Sequence, residues 1–294
     1  MTSQRRAYAN SAKTIIDCDG FEIGVRRWGE KAAPAVVLMH GLGGSSRNFD
    51  ELAGQLSPHF YCVAPDMIGR GMSAWSAAPD RDYCFDVYER ISVALVDQLG
   101  LNRLAWLGVS MGGALGMRLS AGALADRITA LIVNDVGTQL NSDIADAIFK
   151  AMSVDTRFES IAALAGHMKN AFGAFGMRQS GKRTWVDMAI NSARRRDDGA
   201  WSLHFDPAVA QQLRSHRGDF DLDEAFGALR APLFLFRGSE SNVLDEENAA
   251  AMIARHPNAQ FNLVEGVGHA PLLDRREDVD AIIHFLSKHC VSRP

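Results

Sequence analysis

Cysteine is scarce in these 294 residues, and the four present, Cys18, Cys62, Cys84 and Cys290, lie far apart along the chain. Neither a disulfide framework nor metal-ligand spacing can be built from them; no metal or organic cofactor is expected. Long runs of positive charge are also missing. The net charge of −4 comes from interspersed residues, which argues against nucleic-acid and membrane-surface partners and for a small-molecule substrate. No apolar run approaches the roughly 20 residues that cross a bilayer. The opening MTSQRRAYANSAK lacks the apolar centre of a secretory signal. A reduced, cytoplasmic protein is the expectation, with its oligomeric state open. Repeats and low-complexity tracts are absent as well.

What is present is enough apolar sequence for one large core. KTIIDCDGFEIGVRRWG and APAVVLMH read as strands, the first pair turning at Asp19-Gly20. Phe49, Leu52, Ala53 and Leu56 then recur at helical spacing. FYCVAPD follows as a buried strand. Asp86 to Leu99 reads as a helix, with Asp86 as N-cap, an apolar stripe of Val87, Ile91 and Leu95, and a stop at Gly100. RLAWLGV, a helix from Met111 to Ala123, and ITALIVND continue the alternation. Such alternation predicts an α/β fold: a mostly parallel central sheet with helices on both faces and ligand chemistry at the carboxyl ends of the strands.

The pattern changes after about Gly137. Phe149, Met152, Phe158, Met168, Phe172, Phe175 and Trp185 fall in helix-like sequence without a clear buried strand, and Arg194 to Asp198, RRRDD, reads as a solvated bend. Alternation resumes with PLFLFRG, a helix over Glu246 to Ala254, AQFNLVEG and a last helix carrying Val279, Ile282, Ile283 and Leu286. One split core with a helical cap explains this order. Residues 1–137 form its first part, 138–223 the cap and 224–294 its second part.

Three motifs carry chemistry. GVSMGG, Gly108 to Gly113, falls between a predicted strand and a predicted helix, where a nucleophile elbow would present Ser110 above the sheet. A glycine-rich phosphate cradle is the competing reading of that turn. HGLGG, His40 to Gly44, supplies a loop whose Leu42 N–H, with that of Met111, can stabilise an oxyanion; one such donor is worth about 3–4 kcal/mol. His40 itself reads as a brace for the loop. GVGHAP places His269 after the last strand, where it can act as general base toward Ser110.

With DMIGRGMS, Asp66 to Ser73, these motifs in this order resemble the α/β-hydrolase fold superfamily over roughly residues 20–135 and 230–290. The resemblance implies a capped serine hydrolase, and a turn-shaping role for Asp66. The acid that orients the histidine usually follows the strand that reads PLFLFRG here. That turn, RGSESNVL, has Ser241 and Asn242 where an aspartate is common, and Glu240 is its only immediate carboxylate. LIVND offers a different candidate, Asp135, at the end of the preceding strand. Some superfamily members, acetamidomethylenesuccinate hydrolases among them, carry the acid there. Asp135 is the expected acid and Glu240 the alternative.

The expected reaction is hydrolysis of a carboxylic ester through an acyl-enzyme on Ser110. Amide, enol-lactone and carbon–carbon bond hydrolysis stay as alternatives. A non-catalytic, ligand-binding member of the fold is the alternative of another class. Arg47, with Arg178 or the Arg194 to Arg196 run, is a candidate for a substrate carboxylate.

Overall fold

A computed structural model describes residues 11–173 and 184–290. Phe175 and Arg178 lie outside these residues. The chain opens as a hairpin in which β1 (Ala12–Cys18) and β2 (Phe21–Trp28) pair antiparallel. Asp19 and Gly20 both take positive φ, 57° and 81°, the left-handed pair that a two-residue hairpin turn needs.

Six further strands complete the sheet: β3 (Ala35–Met39), β4 (Tyr61–Pro65), β5 (Leu104–Val109), β6 (Ile128–Asn134), β9 (Leu233–Gly238) and β10 (Gln260–Val264). Their order is β1-β2-β4-β3-β5-β6-β9-β10. Strand β2 runs antiparallel to β1 and β4, and every other neighbouring pair is parallel. Alternate side chains enter opposite layers because strand periodicity is two. Val37, Met39, Leu131 and Val133 pack with Ile91, Leu95, Leu115 and Met117 of the helices Phe85–Gln98 and Met111–Ala121. Val36, Leu38, Ala130 and Ile132 face the other layer, with Leu52 and Leu56 of Asp50–Leu56 and Ile282, Phe285 and Leu286 of Arg276–His289. Both faces of the central strands are therefore covered, which is why they read as unbroken apolar runs.

Between β6 and β9 the chain forms an insert with helices Ser142–Met152, Ile161–Gly173 and Trp185–Ser192. Two local expectations change. Arg194 to Asp198 is not a plain bend, because β7 (Ala193–Arg195) pairs antiparallel with β8 (Trp201–Leu203). The backbones of Trp201 and Phe158 exchange hydrogen bonds at 2.7 and 2.8 Å, so the hairpin is fixed by a partner more than forty positions away in sequence. The helix expected to begin after Asp86 has Cys84 as its N-cap. Its buried Phe85 N–H donates to Asp219 Oδ2 at 2.8 Å, a distant carboxylate doing what a local side chain usually does. Among the described residues no helix is long and apolar enough to cross a membrane.

Candidate active site

Ser110 stands between β5 and the helix Met111–Ala121 at φ 52°, ψ −121°. Such backbone costs on the order of 1–3 kcal/mol and persists only where its surroundings impose it. Here its N–H donates to Asn134 O at 2.9 Å, and its carbonyl accepts from Gly113 N–H and Ala114 N–H at 2.8 and 3.0 Å. The flanking glycines are steric necessities. A Cβ on Gly108 would lie 2.1 Å from Gly112 O, and one on Gly112 would lie 2.3 Å from Met39 O.

His269 Nε2 lies 2.9 Å from Ser110 Oγ, and its Nδ1 lies 2.9 Å from Asp135 Oδ2. A carboxylate only accepts, so Nδ1 carries the hydrogen and Nε2 is free to accept the Ser110 O–H. The His269 side chain is 15% exposed and that of Asp135 is 0% exposed. Burying the carboxylate would be costly without partners; its Oδ1 accepts from Gly238 N–H at 3.2 Å. Asp135 sits at φ 63°, a left-handed conformation that aspartate tolerates better than most residues. Glu240 and Asn242 are exposed in the turn after β9. Glu240 bonds to the histidine loop through its backbone, N–H to Val267 O at 2.9 Å. The structure thus brings Asp135, not Glu240, against the histidine.

The loop after β3 passes over Ser110, and a Cβ on Gly41 would lie 3.4 Å from Ser110 Cβ. Met111 opens its helix, so its N–H has no intrahelical acceptor. His40 braces the loop, as expected. Its Nδ1–H donates to Gly41 O at 2.7 Å and its Nε2 accepts from Met67 N–H at 3.0 Å. Burial, reinforced by Arg70, pushes its pKa down to about 3 and keeps the ring neutral. Asp66 shapes the neighbouring turn by accepting from Ser46 N–H and Met72 N–H at 2.6 and 2.9 Å.

Two buried polar residues at the site escape sequence reasoning. Arg70 is fully buried and donates through Nε to Leu42 O at 2.9 Å and through Nη1 to Ile68 O and Tyr88 Oη, both at 2.7 Å. Its Nη2 reaches Met111 Sδ at 3.5 Å, so one guanidinium links Leu42 to Met111. A charge between glycines in DMIGRGMS was its only signal. Asn134, also fully buried, donates through Nδ2 to Pro271 O at 2.8 Å and ties the end of β6 to the His269 loop. Arg47 lies elsewhere, in a cavity that neither Ser110 nor His269 lines, with Nη2 3.5 Å from Asn191 Oδ1.

A mostly parallel sheet of this order, with a strained serine at the end of β5, is the architecture of an α/β hydrolase. A sequence profile of the alpha/beta hydrolase family matches residues 36–282, and the chain belongs to that family. It is similar to the 3-hydroxybutyrate-oligomer hydrolase of Cupriavidus necator, with 32% identity over 252 residues, covering 83% of this chain and 85% of that one. The crystal structure of an alpha/beta hydrolase from Novosphingobium aromaticivorans superposes with a TM-score of 0.86 at 28% identity, over 95% of this chain and 98% of that chain. E-2-(acetamidomethylene)succinate hydrolase shares the fold, with a TM-score of 0.82 at 20% identity over 95% of this chain and 100% of its own. The protein is a hydrolase enzyme.

Proposed function

We propose that the protein hydrolyses a small-molecule carboxylic ester through Ser110, His269 and Asp135. The observation that carries this reading is the continuous hydrogen-bonded chain from Ser110 Oγ through the imidazole to a fully buried carboxylate. Ser110 Oγ attacks the ester carbonyl as its proton passes to His269 Nε2. Asp135 holds the ring's tautomer and stabilises the imidazolium. The tetrahedral oxyanion is held by the Leu42 and Met111 N–H groups. Its collapse expels the alcohol, which takes the proton back from His269, and leaves an acyl-serine. Water, deprotonated by the same histidine, then attacks the acyl carbonyl, and the acid leaves as Ser110 recovers its proton.

Two observations bear on the acyl group. The Cupriavidus relative is named for cleaving hydroxybutyrate oligomers. The insert also presents apolar surface to the oxyanion loop, since a Cβ on Gly43 would meet Met152 Cε at 2.9 Å and Phe205 Cε1 at 3.2 Å. This insert is the lid of the acyl pocket in our reading. The test is covalent labelling by a fluorophosphonate probe together with turnover of short acyl esters. Labelling should be lost in Ser110→Ala, and kcat should fall by at least about 10⁴-fold. A folded wild-type protein that neither labels nor turns over any ester would end this reading.

A further inference from the structure

The cavity lined by Arg47 has a volume of about 440 Å³, within the range of small-molecule sites rather than of one or two waters. Lys13 of β1, Arg26 of β2, Arg47 from the loop after β3 and Arg194 of β7 bring four cations to its wall, against the carboxylates of Asp50 and Asp66. Both carboxylates are engaged. Asp50 pairs with Arg26 at 2.7 Å, and Asp66 accepts the two backbone N–H groups described above. Lys13, Arg47 and Arg194 have no carboxylate at ion-pair distance among the described residues. Arg194 lies over the Trp75 ring at 4.7 Å, a stacking that occupies the guanidinium face and leaves its N–H edge for a ligand.

A neutral donor completes the wall. His204 is 6% exposed, and its Nδ1 accepts from Gly71 N–H at 3.1 Å. Its proton must then sit on Nε2, which has no hydrogen-bond partner among the described residues. Burial, with Arg47 nearby, pushes its pKa down to about 4, so near neutral pH the ring offers one N–H and no charge. A buried donor without an acceptor among the described residues, beside Arg47 and Arg194 with no described carboxylate at ion-pair distance, is the arrangement that an anionic oxygen would satisfy.

We propose that this cavity is an anion site that takes a carboxylate, gripped by Arg47 from the core and Arg194 from the insert, with His204 Nε2–H as third donor. The carboxylate belongs either to the free end of the substrate or to a separate small acid. Isothermal titration calorimetry on the Ser110→Ala protein with 3-hydroxybutyrate and with its neutral methyl ester tests the site without turnover. The acid should bind at least tenfold more tightly than the ester, and Arg47→Gln and Arg194→Gln, both at partly or fully exposed positions, should each weaken the acid at least tenfold. Kinetics of Ser110-intact Arg47→Gln separate the two sources, and only this arm rests on the ester-hydrolase reading. A tenfold rise in KM for a carboxylate-ended ester, with none for a neutral acetate ester, assigns the site to the substrate's own end. An unchanged KM for both, with acid binding still lost, assigns it to a separate acid. Equal binding of acid and methyl ester, or acid binding that survives both arginine substitutions, overturns the proposal.

Discussion

The turns that follow β6 and β9 end on neighbouring strands, yet only the first carries a carboxylate to the histidine. The pairing of β6 with β9 sets Asn134 opposite Phe236, and Asp135 N–H donates to Phe236 O at 2.9 Å. Asp135 therefore leaves β6 level with Arg237, before β9 ends at Gly238. The second turn has become scaffold. Gly238 gives its N–H to Asp135, Ser239 Oγ accepts from Gly266 N–H at 2.9 Å, and Arg237 Nε donates to Leu244 O at 2.8 Å. Charge and shape, which one turn often supplies together, are divided between two.

The largest effect should come from breaking the charge side of this division. Asp135→Asn keeps the size of the side chain but removes its charge and lets an amide NH₂ face Nδ1, so the imidazole tautomer is no longer fixed. Loss of the corresponding acid function in a serine protease costs about 10⁴-fold in kcat, and a fall of about 10³–10⁴-fold is expected here. Glu240→Gln and Asn242→Ala, in the other turn, should stay within about twofold, because both side chains are exposed. Steady-state kinetics of the three variants on one ester decides it. Retained activity in Asp135→Asn with loss in Glu240→Gln would reverse the assignment of the two turns.

The glycines of the two turns sharpen the comparison at intermediate cost. A Cβ on Gly238 would lie 2.5 Å from Val267 O and 2.6 Å from Gly268 O, backbone atoms just before His269. A Cβ on Gly137 would meet the Asn248 side-chain amide at 2.4 Å, and that amide can swing aside. Gly238→Ala should therefore lose about 1–3 kcal/mol in urea unfolding, the range for an overpacked core, and should lower kcat by displacing the His269 loop. Gly137→Ala should lose less than about 1 kcal/mol and leave kcat unchanged. Equal losses would mean that the scaffold role is not confined to the turn after β9.

Much of this was legible in the sequence because the motifs sit where strand alternation changes to helix, and the alternation itself reports burial on both faces. Ser110 and His269 were readable in that way. Asp135 was readable as a carboxylate ending an apolar run and was expected ahead of Glu240; what the sequence did not show is that β6 and β9 are adjacent and that the Asp135 side chain turns onto His269. Residues that act through distant partners left little signal. Arg70 looks like one more polar residue of a glycine turn until its guanidinium is seen to join Leu42 and Met111. Asp219 caps a helix more than 130 positions earlier, and His204 reaches Gly71 from the far side of the insert. Periodicity reports local burial, whereas these contacts depend on topology.

A small effect on stability alone tests whether the second turn is only scaffold. Ser241 is 8% exposed, and its Oγ accepts from Val243 N–H and Leu244 N–H at 3.2 and 3.3 Å. Both bonds are long, and a typical intramolecular hydrogen bond contributes about 0.5–1.5 kcal/mol net. Ser241→Ala should lower unfolding free energy by about 1 kcal/mol and leave kcat and its pH profile unchanged. A shifted pH profile would show that this turn still tunes His269, because loosening a remote brace changes stability without changing the protonation of the base. The division of charge and shape would then be incomplete, with the turn after β9 sharing the electrostatic role we propose for Asp135.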